Sequence, residues 1–268
     1  MTVPRSYALL GPAYLAALLA VDTQVGLRGQ VLLGLLTCVV LVAALRPLAG
    51  LARAQALGVV AFATVGEVTG SLVWGVYHYR LHNLPLFIPP AHGIVYLSGL
   101  ALVRVVKPRL LVGGAAAGAA AWGLAGVTVL PRLDVAGALG VPLLCVFLWR
   151  SRARAAYAGV FLVVAALELY GTSIGTWRWA ATLPGLGIPD GSLRNLLGLQ
   201  HGIPDGNPPS GVASGYVWFD VMAMLVAPYL MIACYGARRH LGRADAREIT
   251  QAAVLFSGQR PERAEASS

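Results

Sequence analysis

The sequence predicts an all-α, polytopic integral membrane protein of about eight transmembrane helices, arranged as two parallel four-helix repeats. Three observations predict it: a composition too apolar for a soluble domain, eight separable apolar runs, and a motif beginning at Glu67 that recurs at Glu168. Of the 268 residues, 57% are hydrophobic and 12% charged, with a mean hydropathy of +0.71. Soluble domains carry about twice that charged fraction. The formal charge of +9 would suggest nucleic acid in a soluble protein; in a membrane chain it marks the cytoplasmic loops, and no nucleic-acid partner is expected. Cys38, Cys145 and Cys234 each sit within an apolar run, so neither a disulfide framework nor a zinc knuckle is readable.

The apolar runs cover 7–21, 31–45, 56–77, 90–106, 110–130, 135–149, 155–177 and 211–236. The first, second and sixth are short for a crossing of about 20 residues, which leaves seven spans as the alternative to eight. The opening run lacks a small-residue cleavage site and is read as a helix rather than a signal peptide. With a cytoplasmic amino terminus, the inner side holds Arg5, Arg46, Arg53, Arg104, Lys107, Arg109, Arg150, Arg152, Arg154 and the basic tail. The other side holds only Arg28, Arg80, Arg132, Arg178 and Arg194. This asymmetry predicts a multi-pass protein of the cell membrane with both termini cytoplasmic. The loops at 79–89 and 179–210 then face outward. Residues 237–268 change composition to a basic, partly disordered cytoplasmic tail.

Glu67 opens EVTGSLVWGVYHY and Glu168 opens ELYGTSIGTWRW. Both read Glu, two residues, Gly, a hydroxyl residue, then Gly, one residue, an aromatic, one residue, an aromatic; the second copy is one residue shorter between its glycines. Pro89-Pro90-Ala91-His92-Gly93, ending at Tyr96, is echoed by Pro208-Pro209-Ser210-Gly211, ending at Tyr216. The repeats are thus 1–109 and 110–236. Four crossings per repeat require parallel halves, which commonly enclose a site at their interface.

Glu67, Glu168 and Asp220 are the acids within apolar runs. A carboxylate near the bilayer centre costs about 2.5–3.5 kcal/mol on insertion scales, so such groups usually face a cavity. On an α-helix Glu67 shares a face with Gly70 or Ser71 and with Trp74. Asp220 has no acidic counterpart, its repeat position being Leu100. Trp74, Tyr77, Tyr79, Trp177, Trp179, Tyr216 and Trp218 form either an interfacial belt or a cavity wall able to stabilise a substrate cation. Asn83 and Asn207, in the loops beyond the two motifs, complete the candidate binding set. His78 and His82 have a spacing at which two histidines can share a metal, but Arg178 replaces His78 in the second copy. They and His92 are read instead as loop contacts or a proton relay to Glu67; no metal or other cofactor is expected. Serine-hydrolase, nucleotide-binding and diphosphate-metal motifs do not occur.

The string Glu67-x-x-Gly70-x-x-x-x-Gly75-x-Tyr77-x-Tyr79, together with Trp177-x-Trp179, Gly202-Ile203-Pro204-x-x-Asn207 and Gly215-Tyr216, resembles the polytopic membrane carotenoid-biosynthesis proteins that include carotenoid 1,2-hydratases. The likeness covers the two motif regions; Val73-Trp74-Gly75 stands where that family has Pro-Phe-Gly. It implies an enzyme acting on an isoprenoid or other apolar lipid, with an alkene protonated by a buried acid. Glu67 would be the acid, Glu168 or Asp220 the base, and His78 or His92 the proton supply. Membrane terpene cyclases share the first step. Parallel repeats and intramembrane acids also fit a proton-coupled transporter or lipid-binding membrane protein, and a membrane assembly factor is a third reading. No oligomeric state is assigned.

Overall fold

The computed structural model describes residues 3–184 and 202–236. The tail at 237–268 and the middle of the second loop lie outside the described residues. Among the described residues eight α-helices follow one another: α1 (Tyr7–Asp22), α2 (Leu27–Leu45), α3 (Gly50–Glu67), α4 (Ile88–Val105), α5 (Pro108–Thr128), α6 (Val135–Arg150), α7 (Arg154–Ser173) and α8 (Val212–Gly236). A π-helical segment, Val68–Trp74, prolongs α3. Two three-residue strands, β1 (Tyr77–Tyr79) and β2 (Trp177–Trp179), follow α3 and α7. The described residues are all-α apart from this strand pair and an isolated bridge between Thr182 and Pro204. Six helices are long and apolar enough to cross a membrane: α2, α3 with its π extension, α4, α5, α7 and α8. Helix α2 begins at Leu27, four residues before the apolar run read from sequence, and so reaches 19 residues. Helices α1 and α6 remain at 16 residues.

Local chemistry sets the helix ends. Prolines occupy the first turns of α4 and α5, where a missing N–H costs nothing. Asp134 caps α6 by accepting from Gly137 N at 2.9 Å. Gly75 (φ 75°) and Gly175 (φ 81°) turn the chain out of the π segment and of α7 in the left-handed region, which costs a glycine little.

Helices α3, α4, α7 and α8 form the interior. Helix α3 packs on α4 and α8, and α7 packs on α4 and α8; α2 lies on α4 as α6 lies on α8. Helix α1 lies against α4 and α7, and α5 against α6 and α7. The backbones of α4 and α7 approach so closely at Gly99 and Gly159 that a Cβ on Gly159 would stand 2.3 Å from Gly99 O. Small residues are the usual means of such approach where lipid leaves little hydrophobic drive between helices. Large apolar side chains such as Leu32, Leu35, Leu36 and Val39 of α2 point outward, as expected of helices solvated by hydrocarbon.

The strands pair antiparallel, Tyr77 opposite Trp179, His78 opposite Arg178 and Tyr79 opposite Trp177. Two further bonds extend the ladder, Arg80 N to Thr176 O at 2.9 Å and Ala180 N to Val76 O at 2.8 Å. Each strand is tied to a helical turn. Arg80 Nη2 donates to the carbonyls of Asp22 and Val25, in the turn between α1 and α2. Arg132, between α5 and α6, donates to Trp179 O at 3.1 Å, and Trp179 N donates to Asn207 Oδ1 at 3.0 Å. The second edge of β2 is thereby covered.

Candidate functional site

Glu67 ends α3, and Glu168 lies on α7 one and a half turns before its end; both side chains enter one cavity of about 290 Å³. Its walls are otherwise apolar, with Leu15, Leu18 and Leu19 from α1, Phe87 and Val95 around α4, Val164 and Leu167 from α7, and Phe219 from α8. Strand alternation turns Tyr77, Tyr79, Trp177 and Trp179 to the same side, and all four line this cavity as its roof. Their rings touch: Tyr77 and Trp179 centroids are 4.5 Å apart, Tyr77 and Tyr79 5.7 Å, Tyr79 and Trp177 6.0 Å.

Both carboxyls are reached from this roof. The Tyr77 and Tyr79 hydroxyls donate to Glu67 Oε2 at 2.5 and 2.6 Å. Burial, reinforced by the Glu67 charge, pushes both phenols up from their ordinary range, so they remain donors. Trp177 Nε1 donates to Glu168 Oε2 at 2.9 Å. Trp179 Nε1 lies beside the same carboxyl without a hydrogen-bond partner among the described residues.

His92, one turn into α4, completes the group. Its Nδ1 is 2.8 Å from Ile88 O; a carbonyl only accepts, so Nδ1 carries a proton. Nε2 stands 3.2 Å from Glu67 Oε1, off the line of a hydrogen bond. Oε2 is taken by two hydroxyls, so Oε1 is the carboxyl oxygen that faces the imidazole. The imidazole stacks on Tyr216 at 5.3 Å and 7° and meets Phe219 edge-on at 6.4 Å.

Of the residues singled out in the sequence, Glu67, Glu168, His92, Tyr77, Tyr79, Trp177, Trp179 and Tyr216 line this cavity. The other six lie apart. His78 is exposed on the opposite face of β1. Trp74, 44% exposed, donates to Pro184 O at 2.7 Å, because the π turn carries it off the face that an α-helix would give it beside Glu67. Trp218, also 44% exposed, packs edge-on against Phe147. Asn83 bonds Gln30, which bonds Asp22, in the tie between β1 and the α1–α2 turn. Asn207 holds the edge of β2 from behind. Asp220 is 1% exposed, in Coulombic reach of Tyr96 and Tyr157, and lines no part of the cavity. Phe219 and the α1 leucines escaped the sequence reading. Phe219 follows Tyr216 at helical spacing, a signal available in the sequence; the α1 leucines carried none. Among the described residues no three metal-ligating side chains cluster.

Compared with known protein families, with curated proteins and with solved structures, the chain matches none.

Proposed function

We propose that the chain is an integral membrane enzyme that protonates an alkene of an isoprenoid or other apolar lipid, in the manner of a hydratase or cyclase. The observation that carries this is the pairing of Glu67 and Glu168 in one apolar, aromatic-roofed cavity. At about 290 Å³ it stands at the lower end of small-molecule sites and suits the end of a chain rather than a whole carotenoid.

The hydrogen bonds divide the roles. Glu67 receives two hydroxyls and faces the His92 imidazole at 3.2 Å, whereas Glu168 receives one indole N–H. Glu168 is therefore the acid and Glu67 with His92 the base, the reverse of the order that the family resemblance implies. The alkene π pair takes the Glu168 proton, a C–H bond forms, and the O–H pair stays on the carboxylate. The adjacent carbon becomes a cation facing the Tyr77, Tyr79, Trp177 and Trp179 rings, whose quadrupoles attract positive charge. Water then attacks and gives up its proton to the Glu67–His92 pair; alternatively, a second double bond attacks and the ring loses a proton to the same pair. A proton returned across the cavity resets Glu168.

The finer architecture belongs to this reading: eight crossings in two parallel repeats, 1–109 and 110–236, with both termini at the basic, cytoplasmic side. Several equivalences support it. Gly75 matches Gly175, and Val76 N bonding Gly70 O matches Thr176 N bonding Gly171 O. The extra residue of the first copy coincides with the π segment, the usual form that a single insertion takes within a helix. The packing of α3 on α8 has its counterpart in α7 on α4.

Mass spectrometry of membrane lipids from cells lacking the protein, cells with it restored, and cells carrying Glu168→Gln or Glu67→Gln tests the reading. Expected is a species gained by one water, or an isobaric product of changed retention, that is lost in both variants. A lipid profile that restoration leaves unchanged overturns it, and pH-dependent flux in sealed vesicles would then favour the carrier.

A further inference from the structure

The strand pair has a second face. The alternation that turns four aromatics to the cavity turns His78 and Arg178 the other way, directly opposite each other in the register. Behind them lies a hollow of about 360 Å³, lined by His78, Arg80, His82 and Arg178 and by the backs of Tyr79, Trp177 and Trp179. Four basic side chains meet there, and among the described residues no carboxylate joins the lining. The two hollows lie back to back across one aromatic wall.

The basic groups are held rather than merely present. Arg80 is anchored by its bonds to Asp22 O and Val25 O, and its Nε lies 3.9 Å from Asp22 Oδ2 without a hydrogen-bond partner. His82 has a φ of 54°, in a region that non-glycine residues seldom adopt, and its ring lies 6.0 Å from that of His78. The ion pairs among the described residues involve none of His78, His82 and Arg178. Neither His78 nor Arg178 is buried, so both side chains are accessible from the hollow.

We propose that this hollow is a binding site for a phosphate group. The Arg178 guanidinium presents a planar fork that suits two phosphate oxygens, and the imidazoles of His78 and His82 each supply a further N–H donor. Arg80 closes the edge nearest α1. The source is either a lipid headgroup at that end of the bundle or a soluble phosphate. The inference is independent of the alkene chemistry: it requires only the outer face of β1 and β2.

The test uses the full chain in nanodiscs. In one arm, discs of neutral phosphatidylcholine are titrated with inorganic pyrophosphate; in the other, discs contain phosphatidic acid and native mass spectrometry counts retained lipid. Saturable binding is expected in at least one arm, falling at least tenfold in His78→Ala and in Arg178→Ala. It should be unchanged in Arg109→Ala, which removes the same charge from a distant turn. Arg178→Lys, which keeps the charge and loses the fork, should fall in between and serves if the alanine variant does not fold. Pyrophosphate binding in neutral discs identifies a soluble anion; retention of phosphatidic acid alone identifies a headgroup. Absence of saturable binding in both arms, or equal binding by wild type, His78→Ala and Arg178→Ala, overturns the proposal.

Discussion

At Gly171 the space for a side chain is already taken. A Cβ there would stand 2.3 Å from the Trp177 ring, whereas at the matching Gly70 it would stand 3.0 Å from the Tyr77 ring. Both glycines let an aromatic fold back over the end of the helix that carries its glutamate. Gly171→Ala should push the Trp177 indole off Glu168 and cost about 1–3 kcal/mol of stability by overpacking. Gly70→Ala should cost less, because a few tenths of an ångström suffice. Thermal midpoints, with tryptophan fluorescence following Trp177, check the order of the two. Asp205 offers a residue-scale prediction outside the membrane. Burial, reinforced by the neighbouring Asp134 carboxylate, pushes its carboxyl up to about 7. A raised carboxyl binds its proton more tightly folded than unfolded. It therefore contributes stability at low pH that is lost as pH rises from about 4 through 7. Asp205→Asn, fixed in the neutral form, should exceed wild type at pH 8 by about 2 kcal/mol, half of the unscreened value of about 4 kcal/mol because solvent screens the carboxyl in part, with the gap closing toward pH 4. A midpoint difference independent of pH would show that this carboxyl does not titrate in that window.

At the scale of elements, the π segment and the strand pair decide which residues meet. On a continuous α-helix His78, eleven residues beyond Glu67, returns to the same face after three turns, which makes it as good a partner on paper as His92. On a three-residue strand it faces away, and Tyr77 and Tyr79 take its place. The helices themselves were legible, since each apolar run corresponds to one helix within a few residues. The strands were not: three residues carry no periodicity, and β1 finds its partner only across the four helices α4 to α7. The doubled motif did point to both glutamates and to the aromatic pairs. Its one-residue mismatch, which weakens the alignment on paper, is where the π segment stands. Deleting Leu72, exposed within that segment, should restore α-helical continuity like that of α7 while rotating Gly75 and β1 relative to Glu67. The variant is expected to keep its helical content and lose the Tyr77 and Tyr79 bonds. Circular dichroism would then be unchanged while the Glu67-dependent lipid product disappears; a product formed at wild-type level would show that those bonds are dispensable.

For the whole molecule, the strand pair constrains the number of crossings. Helices α4, α5, α6 and α7 lie between β1 and β2, which are hydrogen-bonded at one end of the bundle. If α4, α5 and α7 cross, α6 has to cross as well, or β2 would emerge at the wrong end. At about 1.5 Å per residue its 16 residues reach about 24 Å, short of a hydrocarbon core of about 30 Å, so local thinning or shelter by neighbours has to make up the difference. Helix α6 has such neighbours in α5, α7 and α8. Helix α1, equally short, starts where Arg104 near the end of α4 donates to Val3 O and ends where Arg80 donates to Asp22 O, so it runs the length of the interior. Six helices are long and apolar enough to cross; the eight crossings proposed above add α1 and α6, and are consistent with this parity. Single cysteines, introduced after replacing Cys38, Cys145 and Cys234 and probed with an impermeant maleimide on oriented vesicles, test the count. Thr182→Cys should react from one side, and Arg53→Cys, Arg109→Cys and Arg152→Cys all from the other. Were α6 lying in the interface while α7 still crosses, Arg152→Cys would react from the side opposite to Arg109→Cys and Thr182→Cys from the same side as Arg109→Cys, and the parallel four-plus-four arrangement would fall with it.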